Sequence, residues 1–242
     1  MEEQLYHRFY EIEDKHWWFV ARRTIINYLV THSCNLQQGA RMLDVGCGTG
    51  AVLAGLSKLY DTYGIDTSEV AIEYCRKRGL ANVYACNLEN FPHSSLHFDL
   101  IMMLDVIEHT DDELGTLHQA YDRLTPEGRI LLTVPAYQFL WGPHDVMNKH
   151  KRRYTRKRLK IIMEQSGFVI EKLSYMNSIL FPLALVQRGI QSFSAQRHKK
   201  LLVIPPASIN NLLKSIFTVE MHLLRVLSFP YGLTVLGIGR KG

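Results

Sequence analysis

Arg41-Met42-Leu43-Asp44-Val45-Gly46-Cys47-Gly48-Thr49-Gly50 is the stretch on which the fold turns. Its first five residues are a short apolar run closed by an acid, and glycine then recurs at every second position. That pattern reads as a strand, a tight turn and the start of a helix. Glycine permits positive φ and lets a ligand approach the backbone closely. The free N–H groups of the following helix can receive a carboxylate or a phosphate. A glycine-rich turn alone does not choose a ligand, because dinucleotide-binding proteins use one too. Asp44 separates the readings: a carboxylate there would repel a pyrophosphate but suits an ammonium group, as on an amino-acid ligand.

Working downstream, helix and strand signals alternate. Ala51–Leu59 reads as helix, Thr62–Asp66 as a strand ending in a second acid, and Ser68–Arg78 as a helix with Ser68 as N-cap. Val83–Cys86 and Phe98–Leu104 are strands, Asp111–Leu124 a helix and Arg129–Val134 a strand. Such alternation predicts a parallel sheet covered on both faces. Asp66 is placed to accept hydrogen bonds from ribose hydroxyls, and Asn87 with Leu88 to meet a base by its edge and its face. Further on, Ala136–Tyr154 reads as loop, Thr155–Ser166 as helix with Gly167 after it, and Phe168–Tyr175 as strand. Two helical stretches, Asn177–Gln196 and Ser208–Leu227, flank a Pro205-Pro206 break, and Gly232–Arg240 closes the chain as a strand. Upstream of the glycine turn, residues 2–32 read as helix.

LDVGCGTG, then YGIDTSEVAI, YACNLENFP and FDLIMMLDVIEH, resembles in order and spacing the class I methyltransferases that depend on S-adenosylmethionine (SAM). The resemblance covers residues 40–135, with a weaker echo towards the C-terminus. It implies an α/β, Rossmann-like, doubly wound and mostly parallel seven-stranded sheet with helices on both faces and a helical insertion before the last strand. One domain, residues 1–242, would comprise an N-terminal helical lid (1–38), the cofactor-binding core (40–135), a substrate loop and helix (136–167) and the insertion (177–230). The resemblance further implies that Asp44, Gly46 and Gly48 contact the methionine part of SAM, Asp66 the ribose, and Asn87 with Leu88 the adenine. Cys47, Gly50, Thr67 and Leu104 are further cofactor-binding candidates. Family members often carry Asp where Asn87 stands; Asn keeps the acceptor and adds a donor.

Methyl transfer from a sulfonium needs an aligned nucleophile and a group to take its proton. His109, just past the fourth strand, is the candidate base. The bland alternative has Glu108 and His109 only capping the next helix. Asp105, Glu108 and His109 also have metal-ligand character, with His144 or His150 as an added ligand, but the leading expectation is no metal. Trp18 and Arg22, in Asp14-Lys-His-Trp-Trp-Phe-Val-Ala-Arg22, resemble the entry helix of ubiquinone-biosynthesis O-methyltransferases and are expected to close the cofactor pocket; plain core packing is the alternative. The basic segment 144–160 resembles the substrate loop of methyltransferases of polysaccharide and lipid pathways. His144, His150, Arg152, Arg153 and Tyr154 are the substrate candidates there, with Arg152 or Arg153 gripping an anion. A solvated basic helix face is the alternative.

Composition narrows the classes. Hydrophobic residues are 47% and charged residues 21% of 242, a globular balance. The net charge of +5 permits an anionic substrate, a nucleic acid or an acidic membrane without choosing. Cys34, Cys47, Cys75 and Cys86 form no CxxC pair, as expected of free thiols in a reducing cytoplasm. The acidic N-terminus does not read as a signal peptide, and no apolar run reaches the length of a bilayer span. The apolar C-terminal helices with basic flanks, including Arg197–Lys200, suit a lipophilic acceptor and peripheral contact with the inner face of a membrane. The expectation is thus a cytoplasmic small-molecule methyltransferase acting at oxygen, monomeric or homodimeric, using SAM and releasing S-adenosylhomocysteine. The alternatives are an RNA or protein methyltransferase, or a non-catalytic SAM-binding subunit of a membrane complex. The segment Leu104-Asp105-Val106-Ile107 stands where amino-group methylases carry an Asn/Asp-Pro-Pro-aromatic stretch.

Overall fold

A computed structural model describes residues 3–191 and 203–242. Seven strands form one sheet: β1 (Arg41–Val45), β2 (Asp61–Asp66), β3 (Val83–Ala85), β4 (Phe98–Leu104), β5 (Leu124–Pro135), β6 (Phe168–Met176) and β7 (Thr234–Lys241). Their spatial order is β3-β2-β1-β4-β5-β7-β6. All neighbouring pairs are parallel except those made by β7, which runs antiparallel to β5 and β6. The sheet and the helical segments inserted before β7 match the expected architecture.

The central strands are apolar on both faces because helices cover both faces. Met42, Leu100, Met102, Leu131 and Leu236 point to one layer; their neighbours Leu43, Ile101, Met103 and Leu132 point to the other. The first layer is covered by α2 (Trp17–Ser33), α3 (Ala51–Leu56) and α9 (Ala207–Val226), whose Ile25, Leu29, Leu53, Phe217 and Leu224 are buried there. The second layer receives Leu117 of α5 (Glu113–Arg123) and Leu159 and Met163 of α7 (Arg156–Gln165). The helix α4 (Glu69–Lys77) begins at Ser68, whose hydroxyl accepts from the Ala71 N–H at 3.4 Å.

Two expectations need correction. The single N-terminal helix is two: α1 (Glu3–Ile12) stops, a turn follows, and α2 restarts at His16, whose ring nitrogen accepts from the Trp18 N–H at 3.2 Å. The loop 136–154 contains a short helix, α6 (Pro143–Met147), started by Pro143 and by Asp145 accepting the Gly142 N–H. Of the expected helix 177–196, the described part is α8 (Phe181–Gln191); its extension and Arg197–Lys200 lie outside the described residues. No helix among the described residues is long and apolar enough to cross a membrane.

Sequence order reverses between β1 and β4. In open α/β sheets the crevice beyond the strand ends at such a reversal is where ligands bind. The residues there are Asp44 and Gly46 after β1, and Leu104 and Asp105 after β4.

Candidate active site

A cavity of about 1770 Å³ opens at this crevice. A single ligand commonly occupies 300–1,000 Å³ or thereabouts, so a cofactor and a second molecule have room together. One end is walled by Gly46, Cys47, Gly48, Asp66, Thr67, Asn87 and Leu88, and the other by apolar residues of α8 and α9 with Asn177.

The glycine turn forms as the spacing predicts. The Gly46 and Cys47 N–H groups both donate to the Ile65 carbonyl, which pins the turn to β2. Gly46, Gly48 and Gly50 all have positive φ. A side chain at Gly48 would meet nothing, so that position faces open space. Gly50 differs: it does not line the cavity, and a Cβ there would strike Leu80 and Cys75 within 3 Å. It is glycine for packing rather than for ligand contact. The Cys47 thiol lies 3.8 Å from that of Cys75 without a disulfide, and its hydrogen bond with Cys75, then burial, with Asp44 and Asp66 adding, keep it protonated.

Asp44 is buried and its Oδ1 has no partner. Burial pushes its carboxyl up to about 7, with Arg22 opposing and Asp66 adding to the rise. An acid so placed is short of one positive partner. Asp66 is better supplied: it accepts from the Gly48 N–H at 3.0 Å, from the Ser68 N–H at 3.0 Å and from the Tyr6 hydroxyl at 3.2 Å. Asn87 and Leu88 line the same wall; the Asn87 Oδ1 caps the Asn90 N–H and leaves its NH2 available.

The N-terminal helices lie over this end. Tyr6, Phe9, Trp17 and Trp18 line the cavity. Besides the Tyr6–Asp66 bond, these helices are tied down where Glu13 accepts from Thr49 and, at 2.6 Å, from Arg78, and where Arg22 donates to Asp105 and Thr133 at 2.8 and 2.9 Å. The Arg22 guanidinium also sits 5.4 Å from the Trp18 ring centre.

Past β4, His109 lines the cavity beside His150, ring centres 4.8 Å apart. Burial and the facing His150 hold His109 below the ordinary histidine range, so it is neutral near pH 7 and can accept a proton. Glu108 behind it is fully buried, and neither carboxylate oxygen has a partner. Burial, helped by Asp105, raises its carboxyl well above the usual range. Ligand atoms of Glu108, His109 and His150 lie within 4.8 Å of one another. Asp105, the remaining residue with metal-ligand character, is taken up by Arg22 and Thr133.

The basic loop is rearranged relative to expectation. Arg153 lines the cavity, but its guanidinium is bound to buried Asp145 at 2.8 and 2.9 Å and to the Ala136 carbonyl. Asp145 also takes His150 Nδ1 at 2.9 Å. Arg152 does not reach the cavity; it bonds Glu113 at 3.1 Å, as do Arg158 at 2.8 Å and the buried Tyr154 hydroxyl at 2.6 Å. Arg152 and Arg153 are thus taken up by nearby acids, because one is half-buried and the other buried and each needs a partner there, while Arg156, Lys157, Arg158 and Lys160 stay exposed. His144 and His150 do line the cavity.

Sequence reasoning missed Tyr6, Glu13, Asn177 and Glu220. A lone acid inside the apolar run 212–227 was the available signal for Glu220. Nothing in the residue pattern marked the other three.

A family model described as a methyltransferase domain matches residues 14–173. A Mycolicibacterium smegmatis protein named as an S-adenosylmethionine-dependent methyltransferase is 25% identical over 166 residues, covering 66% of this chain and 62% of its own. A ubiquinone biosynthesis O-methyltransferase of Rhodopseudomonas palustris is 31% identical over 105 residues, 41% of this chain and 42% of its own. The chain thus spans less than two thirds of the length of either relative. Among solved structures, a chain from the complex between the Haloferax volcanii Trm112 methyltransferase activator and a methyltransferase aligns with a TM-score of 0.63 at 16% identity, over 98% of this chain and 94% of that one. At that identity the likeness is one of fold.

Proposed function

This chain belongs to the methyltransferase-domain family, and from that premise we propose that it transfers a methyl group from SAM to a small lipophilic acceptor at oxygen. The observation that carries the reading is the continuity of one cavity, which joins the glycine turn to an apolar chamber under α8 and α9. The residues fit SAM: the partnerless Asp44 oxygen awaits a cation, and the open space at Gly48 admits a ligand against the backbone. Bound there, SAM supplies an electrophilic methyl on a sulfonium.

Each residue then has a defined task. Asp44 holds the amino group and Asp66 the ribose hydroxyls. Asn87 bonds the adenine edge while Leu88 packs on its face. Tyr6, Phe9, Trp17 and Trp18 exclude water, and an aromatic face stabilises positive charge. His109, neutral at working pH, accepts the acceptor hydroxyl's proton at a ring nitrogen. Glu108 is then a protonated, neutral neighbour.

A second reading of the same cluster rests on Glu108. A buried carboxylate with no partner is costly, and a divalent cation on Glu108, His109 and His150 would relieve that cost. It would supply Lewis-acid polarisation of the acceptor oxygen, and His109 would then be a ligand and not the base.

Exposed apolar residues of the insertion, Leu183, Val186, Val203 and Leu212, support an acceptor that partitions into lipid and peripheral contact with a membrane face. Pairing of Arg152, Arg153 and Arg158 with Glu113 and Asp145 takes three guanidiniums away from phosphate contact, which weighs against a nucleic-acid acceptor. The test is transfer from methyl-labelled SAM into a cell extract, split into organic and aqueous phases, with Asp66→Ala as control. Label in the organic phase that vanishes in the variant is the expected result. Label confined to the aqueous or macromolecular fraction overturns the lipophilic acceptor.

A further inference from the structure

At the far wall of the cavity, Asn177 stands just beyond the end of β6 with both carboxamide atoms buried and without a partner. It is 1% exposed and has a φ of 59°, a left-handed conformation that asparagine tolerates better than most residues. Its backbone is pinned from outside the turn. The carboxylate of Glu220, fully buried on α9, accepts the N–H groups of Asn177, Ser178 and Ile179 at 2.7, 2.6 and 2.8 Å. The Ser178 hydroxyl donates in turn to the Tyr231 carbonyl. A turn held this firmly fixes where the residue's side chain starts, and a carboxamide left without partners there costs stability unless a ligand supplies them.

We propose that Asn177 is the residue that recognises the remote end of the acceptor, aimed by Glu220 as a positioning residue. This rests on the reading of the cavity as the chamber of a lipophilic acceptor. The chemistry wanted is specific. A carboxamide with donor and acceptor both unmet is satisfied by a neutral group that offers both, a hydroxyl or a carboxamide. The Glu220 carboxylate behind the turn disfavours an anion. The cavity residues contributed by the segment that follows Asn177 and by α9 include Leu180, Leu183, Ala184 and Leu213, all apolar.

The sheet sets the span. Asn177 follows β6 and His109 follows β4, three strands apart in the order β4-β5-β7-β6. At an inter-strand spacing of about 4.8 Å, those strands lie roughly 14 Å apart. The acceptor is thus an elongated molecule with the reacting hydroxyl at one end, an apolar body, and a second uncharged polar group at the other.

The test uses the full chain saturated with S-adenosylhomocysteine, with 1-decanol and 1,10-decanediol as probes and the fluorescence of the cavity tryptophans as readout. The diol carries a hydroxyl at each end of the same apolar body, so its advantage over the mono-ol isolates the remote contact. The expected result is that the diol binds about tenfold more tightly, the size of one good neutral hydrogen bond. In Asn177→Gly the ratio collapses to one while affinity for 1-decanol and for the cofactor product is retained; glycine suits the positive φ, so the turn survives. Glu220→Gln collapses it too, and a merely structural loss would weaken both probes alike. Persistence of the diol advantage in Asn177→Gly, or its absence in the unsubstituted protein, overturns the proposal. Failure of the unsubstituted protein to bind either probe overturns the lipophilic chamber itself, and this proposal with it.

Discussion

The Arg22 guanidinium donates to the Asp105 carboxylate at 2.8 Å across 83 positions of sequence, tying the lid helix α2 to the end of β4. The arginine side chain is only 12% exposed, so the pair is not a solvated surface bridge. Arg22→Ala leaves Asp105 short of a partner and frees the lid. Charge-assisted hydrogen bonds contribute about 1.5–3 kcal/mol, so affinity for S-adenosylhomocysteine is expected to fall roughly ten- to hundredfold by calorimetry. An unchanged affinity would mean that the lid closes without this pair.

Asp44 yields a pH dependence of definite sign. In the folded protein without ligand its carboxyl keeps its proton up to about 7, whereas in the unfolded chain it releases it near the ordinary value of about 4. The folded state therefore binds more protons between those limits, and stability falls as pH rises through that window. Asp44→Asn removes the effect. The ligand-free variant is expected to melt roughly 3–8 °C above the unsubstituted protein at pH 8, with the difference shrinking towards pH 4. Its SAM affinity should drop roughly ten- to hundredfold. Scanning calorimetry at the two pH values checks the first claim and titration the second.

His109→Ala separates the two roles available to that ring. As base, its loss lowers transfer by about 10²–10⁴ while SAM affinity stays as it was, and treatment with EDTA changes nothing. This is the expected outcome. Activity that disappears on chelation and returns with magnesium or manganese would instead make His109 a ligand beside Glu108 and His150.

Arg153 is predicted to matter for stability more than for substrate charge. Its partner Asp145 is fully buried, held well below the usual carboxylate range by His150 and Arg153. Removing one member of a buried pair costs about 3–5 kcal/mol, so Arg153→Ala should lower the melting temperature by roughly 6–20 °C. Because the folded-state carboxyl is held far below its unfolded value of about 4, the stabilisation is complete at neutral pH, begins to fall below about pH 4 and is lost only as the solution passes the much lower folded-state value. Melting curves should therefore differ between variant and parent by the full amount at pH 7 and by a reduced but still clear amount at pH 3.

The cofactor end of the site was legible because its chemistry is local. Glycines at every second position after an acid-ended strand specify a backbone shape, and Asp66 follows from the next strand's end; periodicity carries both. Phe98–Leu104 could be bounded correctly because a buried central strand is apolar along nearly its whole length, here all but Asp99. The basic loop and the far wall of the cavity were less legible because their residues are defined by long-range pairing. Arg152, Arg153 and Tyr154 look like an open cationic loop in sequence, and only the fold brings Glu113 and Asp145 to them. Asn177 is unremarkable as text; what distinguishes it is the Glu220 carboxylate arriving from 42–43 residues away.

Met176 and Thr234 face each other across the last strand pair, so the segment carrying α8 and α9 leaves and rejoins the sheet at adjacent points. A unit closed at its base in this way can change length or content without shifting the register of any strand. Among the described residues its ties to the N-terminal helices are the apolar stripe that α9 presents to α2, where Phe217 and Leu224 are buried, and the Asn210 carboxamide, which accepts from the Trp17 N–H and donates to the Lys15 carbonyl. Grafting another sequence between those two points, with that stripe kept, should alter which molecule is methylated while leaving cofactor use intact, which makes residues 177–233 an exchangeable cassette for redirecting acceptor choice.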